Sequence, residues 1–100
     1  MKPAGYDRVT RHVWTQIPAE PPKGMITRKL ISGDRMKIAH RWLRKCDDLS
    51  RHQHENEQLT DILRGTLRLW FAANDEREIT IRASEVVDSP SNVPHRALAL

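Results

Sequence analysis

Apolar and polar residues alternate in short runs along this chain, and each run is bounded by turn-forming residues. Met36, Ile38, His40 and Trp42 alternate with Arg35, Lys37, Ala39 and Arg41, which predicts a strand with one charged face. Leu67, Leu69 and Phe71 alternate with Arg68 and Trp70, and Ile79, Ile81 and Ala83 alternate with Thr80 and Arg82. Asn74-Asp75 lies between those two runs and predicts a hairpin turn. Pro18, Pro21, Pro22 and Gly24 break regular structure, so Ala19 to Gly24 is expected to be a loop. A second cluster of breakers, Asp88 to Pro94, precedes a short final segment. Residues 1–24 therefore read as a leader and proline-rich loop, and residues 25–100 as the folded domain.

One stretch also fits a different period. Leu59, Ile62, Leu63, Leu67, Trp70 and Phe71 recur at the three- and four-residue spacing of an amphipathic helix. Met36, Ala39, Leu43 and Cys46 fit that spacing less well. Gly65 falls inside the first set, where it costs a helix about 1 kcal/mol relative to alanine. As the turn of a hairpin between residues 58–64 and 66–72, the same glycine supplies backbone freedom. The balance favours strands and an all-β fold.

Composition bounds the size of the core. The 100 residues suffice for one domain, and 38% hydrophobic against 30% charged leaves a thin interior, so stabilisation by a partner subunit, a homodimer, is expected. The longest apolar run, Leu69 to Ala73, is far short of a membrane span. No secretory signal is visible, and Cys46 is the single cysteine, so a cytoplasmic location is expected. The net charge of +4 is unevenly spread: Pro21 to Cys46 holds eight Lys or Arg and one acid, whereas ten acids and six Arg follow from Asp47 onward. A basic half attracts nucleic acid or a small anion, but it lacks a nucleic-acid motif or aromatic platform and reads first as a solvated strand face. Trp14, Trp42 and Trp70 read as core or interface packing.

The candidate chemistry sits in the octet Arg51-His52-Gln53-His54-Glu55-Asn56-Glu57-Gln58. On a strand, residues two apart share a face, so His52, His54 and Gln58 project together and Glu57 opposes them. Imidazole nitrogens and an amide oxygen suit borderline divalent metals. Glu57, a conceivable general base, reads as a surface carboxylate by its parity. His12 and His40 lack a partner at ligand spacing and read as surface or half-buried rings.

The wider spacing resembles the cupin family. Its first motif places a Gly, five residues, His-x-His, three or four residues, an acid or Gln, six residues and a Gly; here that frame falls on Cys46, His52, His54, Gln58 and Gly65. Its second motif, Gly, five residues, Pro-x-Gly, two residues, His, three residues and Asn, falls on Ser84, Pro90, Asn92, His95 and Ala99. The resemblance covers about Met25 to Leu100. It implies a cupin-type double-stranded β-helix, a jelly-roll-like barrel, incomplete at its C-terminal end because Leu98 and Leu100 offer only a stub of a closing strand.

Carried over by position, His52, His54, Gln58 and His95 are the implied ligands of one divalent ion, of the kind of Zn, Fe, Mn or Ni. A site of this composition is similar to that of small cupins acting on unsaturated uronic sugars. The implied activity uses the metal as a Lewis acid on a small anionic substrate, with no catalytic side chain assigned. The alternatives are a non-catalytic cupin sensor or regulatory dimer, and a small basic, helical or mixed nucleic-acid-binding module. The departures are Cys46 and Ser84 in place of turn glycines, Ala99 in place of Asn, and Asp88-Ser89 where an apolar strand normally leads into the proline.

Overall fold

A computed structural model describes residues 1–23 and 26–100, and resolves two compact units, Met1–Trp42 and Leu43–Leu100. The expected domain start at residues 24 and 25 lies outside the described residues.

In the first unit, β1 (Glu20–Lys23), β2 (Ile26–Ser32) and β3 (Lys37–Trp42) form an antiparallel sheet in that order. The β2–β3 register is regular from Thr27↔Trp42 to Ser32↔Lys37, and the alternating run becomes a strand as its period predicts. The loop expected at Ala19 to Gly24 is instead largely strand. Proline has no N–H to donate, so Pro21 and Pro22 are tolerated on an edge strand whose pairing is irregular between Glu20 and Lys23. Trp14 stacks on His40 at 3.7 Å between ring centroids, and Trp42 is half exposed.

The second unit has two antiparallel sheets. One runs β4 (Asp48–His52), β9 (His95–Ala99), β6 (Thr66–Phe71), β7 (Arg77–Arg82); the other pairs β5 (Gln58–Asp61) with β8 (Val86–Ser89). Leu67, Leu69 and Phe71 of β6 pack with Ile81, Ala97 and Val87 in the buried core, flanked by Leu49, Ile62, Ile79 and Val93. The β6–β7 register, Leu67↔Ile81 and Leu69↔Ile79, brings the apolar parities of both strands to one face, and Asn74-Asp75 lies in their connection. None of the three tryptophans joins this core. Trp70 has the opposite parity to Leu69 and lies under the Arg96 guanidinium, 3.9 Å from the ring centroid.

Three readings are corrected here. The helical reading of residues 59–71 fails: β5 and β6 occupy that span, and Gly65 has φ +87°, which no helix accepts. Nor does Gly65 close a hairpin, because β5 pairs with β8 while β6 pairs with β7 and β9; the glycine turns the chain from one sheet to the other. The C-terminal residues are not a stub. They form β9, hydrogen-bonded on both sides, between β4 and β6. Among the described residues no helix is long and apolar enough to cross a membrane.

Candidate metal centre

The cluster begins with a register. His52↔His95 are cross-strand partners in β4–β9, and Phe71↔His95 are partners in β6–β9. His95 is therefore on the core face, beside Phe71, and only 3% exposed. Leu49 pairs with core-facing Ala97, but the register shifts between Leu49 and His52: three residues advance on β4 against two on β9. That extra residue is a β-bulge. Without it His52 would have the opposite parity to Leu49; with it, both match inward partners.

His54 lies beyond the end of β4, so the single-strand parity expected for His52 and His54 does not carry it. A backbone clasp does. The Asn92 N–H donates to the His54 carbonyl at 2.8 Å, and the Ser91 hydroxyl donates to the Glu55 carbonyl. The turn of the second motif thus holds the loop of the first. Asn92 has φ 62°, and Cys46 and Ser84 have φ 72° and 73°: the positions where the motif has glycine are left-handed here too, occupied by residues with a Cβ. The strain anticipated from those replacements is present.

The ligand atoms of His52, His54 and His95 all lie within 4.8 Å of one another. Each ring is oriented the same way. Nδ1 of His52 is 2.9 Å from the Ser50 carbonyl, Nδ1 of His54 is 2.7 Å from the Asn56 carbonyl, and Nδ1 of His95 is 2.9 Å from the Val93 carbonyl. A carbonyl only accepts, so each Nδ1 carries the proton and donates. In the neutral rings each Nε2 is then left as a lone pair, the tautomer that backbone carbonyls impose on metal-binding histidines. The His95 Nε2 is buried and has no hydrogen-bond partner. Burial holds its pKa below the ordinary histidine value, the Val93 carbonyl opposes this, and the neighbouring His52 and His54 add to the lowering.

Gln58 completes the set. Its Nε2 donates to Thr60 Oγ1 at 3.0 Å, which turns Oε1 toward His54 Nε2 at 3.2 Å. Two lone pairs then face each other at hydrogen-bond distance. A proton on the ring, an amide turned the other way or a metal ion beside both atoms turns that repulsion into attraction. Adjacent ligands of an ion with bonds of about 2.0–2.2 Å are separated by about 3–3.4 Å, and the 3.2 Å spacing is compatible with that as well as with a hydrogen bond. The residues fit a divalent ion: three oriented imidazoles, an amide oxygen, and an orphaned buried nitrogen.

Of the four residues singled out in the sequence, His52, His54 and His95 come together as one cluster, and Gln58 touches it through His54. Glu57 is exposed, and a hydrogen bond and charge repulsion from Asp88 raise its carboxyl pKa; Asp88 belongs to the exposed parity of β8, so this pair lies away from the histidines. The sequence marks Ser89 only as a departure from the motif frame. It pairs directly with Gln58 in β5–β8 and is fully buried with its hydroxyl unpartnered. Its signal was a polar side chain where the frame has an apolar one.

No protein-family model matches the sequence, and no curated protein does. Solved structures do. An RmlC-like cupin from Shewanella frigidimarina aligns with a TM-score of 0.76 at 17% identity, over 88% of this chain and 78% of its own. The chain has the fold of a small cupin. KdgF from Halomonas sp. aligns with a TM-score of 0.80 at 15% identity, over 92% of this chain and 83% of its own. The oxalate decarboxylase of Lactobacillus farciminis, in complex with formate, aligns with a TM-score of 0.74 at 14% identity; 92% of this chain matches 30% of that one. The all-β, cupin-type fold expected from the two motifs is therefore the one that the chain matches.

Proposed function

We propose that this small cupin holds one divalent metal ion on His52, His54, His95 and Gln58, and uses it to bind and act on a small anionic substrate of the sugar-acid kind. The observation that carries the reading is the facing of His54 Nε2 and Gln58 Oε1 at 3.2 Å beside the orphaned His95 Nε2. When bound, the metal supplies a Lewis acid.

The protein's own part is positional. Ser50, Asn56 and Val93 carbonyls fix the three ring tautomers, and Thr60 fixes the Gln58 amide. Three imidazoles and one carboxamide are neutral ligands, so none of the ion's double positive charge is cancelled by the chain. A site of that charge favours an anion over a neutral ligand of the same shape. Likeness to KdgF and to a decarboxylase of oxalate, solved with formate, agrees with a small carboxylate as ligand. Phe71 and the apolar core beside His95 keep that end of the cluster dry, which strengthens every charge interaction there.

The test is elemental analysis of the purified protein beside the double variant His52→Ala/His54→Ala. We expect about one equivalent of metal in the parent and loss of it in the variant, by the ligand count of such sites. Equal metal content in both contradicts the site. Turnover of an unsaturated uronic sugar acid by the loaded parent assigns an enzyme. An effector-dependent change of assembly without turnover assigns the sensor instead.

A further inference from the structure

We propose that the Ser89 hydroxyl is a ligand-binding group: it donates a hydrogen bond to one oxygen of a small carboxylate whose other oxygen faces the metal centre. The inference rests on the metal reading above and adds a residue and a ligand class to it.

Three observations carry it. Ser89 is 0% exposed and its Oγ has no hydrogen-bond partner, so a buried donor is left unmade. A buried polar group is ordinarily paired, and an exception calls for an occupant. Its register partner is Gln58, and directly opposed residues on one sheet face have Cβ atoms about 4.5–5.5 Å apart, so Ser89 belongs to the wall that carries the candidate amide ligand. Finally, the second buried polar atom without a partner among the described residues is the His95 Nε2 of the same centre. Two unmet polar groups, one a lone pair and one a hydroxyl, belong to the same end of one thin core.

The alternation of β8 removes the trivial explanation. Val87 and Ser89 share the buried parity, while Val86 and Asp88 are exposed. A serine placed for solubility belongs on the exposed parity. At a buried position alanine or valine packs without an unmet donor, and a hydroxyl gains there only if something accepts from it. The acceptor needed is an oxygen beside the cluster, and a carboxylate supplies two: one for the positive centre and one for Ser89. A monoatomic anion supplies no second atom.

The experiment uses the full chain loaded with cobalt(II), whose visible spectrum reports its ligands. Parent, Ser89→Ala and Ser89→Thr are titrated with cobalt, then with formate and with chloride, and the metal-free forms are melted. Ser89→Ala is expected to bind cobalt within about two-fold of the parent and formate about ten-fold more weakly, the share of one hydrogen bond to a charged group. Its chloride affinity stays unchanged, and its metal-free form melts higher because an unmet donor has gone. Ser89→Thr keeps the hydroxyl and restores formate binding, which keeps the test valid if the alanine variant folds poorly. Equal formate affinity in parent and Ser89→Ala overturns the proposal, as does a parallel loss of chloride and formate. A parent that takes up no cobalt instead overturns the metal reading beneath it.

Discussion

At the residue scale, the molecule carries strain at the places where its motif frame has glycine. Cys46 and Ser84 hold φ of 72° and 73°, a region that costs a residue with a Cβ roughly 1–2 kcal/mol. Glycine there removes that cost but brings a looser unfolded chain, so Cys46→Gly and Ser84→Gly should each stabilise by about 1 kcal/mol. Urea denaturation checks this; a loss of stability in both variants contradicts it. Both spacings were legible in the sequence. The backbone angles were not, because a cysteine or serine gives no sign of adopting a left-handed conformation.

His95 gives the residue-scale pH dependence. Its folded pKa is lowered, chiefly by burial, so the folded state prefers the neutral ring and the unfolded chain takes up the proton first. Its contribution to stability is complete above the unfolded value of about 6.5 and is lost as pH falls from there through the folded value. Metal affinity falls in the same direction, because protons compete for Nε2. The denaturation midpoint of metal-free protein should drop as pH falls below the unfolded value of about 6.5, and the drop should shrink in His95→Gln. A flat profile in the parent contradicts this.

At the scale of elements, β4 is the strand that needs help. Among the described residues it lies at the edge of its sheet, paired with β9 alone, and the bulge that aligns His52 with His95 interrupts that pairing. A compensating clamp comes from the β6–β7 connection: the Asp75 carboxylate bonds Arg51 and also Arg96, whose Nη2 is 3.0 Å away. Those arginines adjoin His52 and His95, so one carboxylate ties both strands beside their histidines. The Arg96 and Arg51 hydrogen bonds hold the Asp75 pKa below the usual carboxylate range. The clamp is therefore complete at neutral pH and is lost only as pH falls below about 4. Asp75→Asn should weaken metal binding several-fold while leaving the three imidazoles in place; isothermal titration with zinc measures it, and unchanged affinity refutes the clamp.

Period-two runs made β3, β6 and β7 legible, because each has one apolar parity. The bulge and the clamp were hidden, since one is a register shift and the other joins residues 51, 75 and 96. The hairpin expected at Gly65 failed for a related reason: strands adjacent in sequence belong to different sheets here, and local pattern carries no information on which sheet receives a strand.

At the scale of the whole molecule, the fold came from spacing alone. The chain aligns with cupin structures at 14–17% identity, a level at which few side chains are shared. Within this chain the β4–β9 register brings His52 and His95 together across 43 residues of sequence. The thin core expected from 38% hydrophobic content is seen among the described residues, where the buried cluster has six members. A core this small depends on its polar interior being satisfied, and the metal would satisfy the His95 nitrogen that the chain leaves open.

X-ray absorption spectroscopy of the zinc-loaded protein tests the central claim most directly. The account predicts three imidazole nitrogens at about 2.0–2.1 Å with an added oxygen shell, falling to two imidazoles in His95→Ala. A spectrum without imidazole scattering, or one unaltered by His95→Ala, contradicts it.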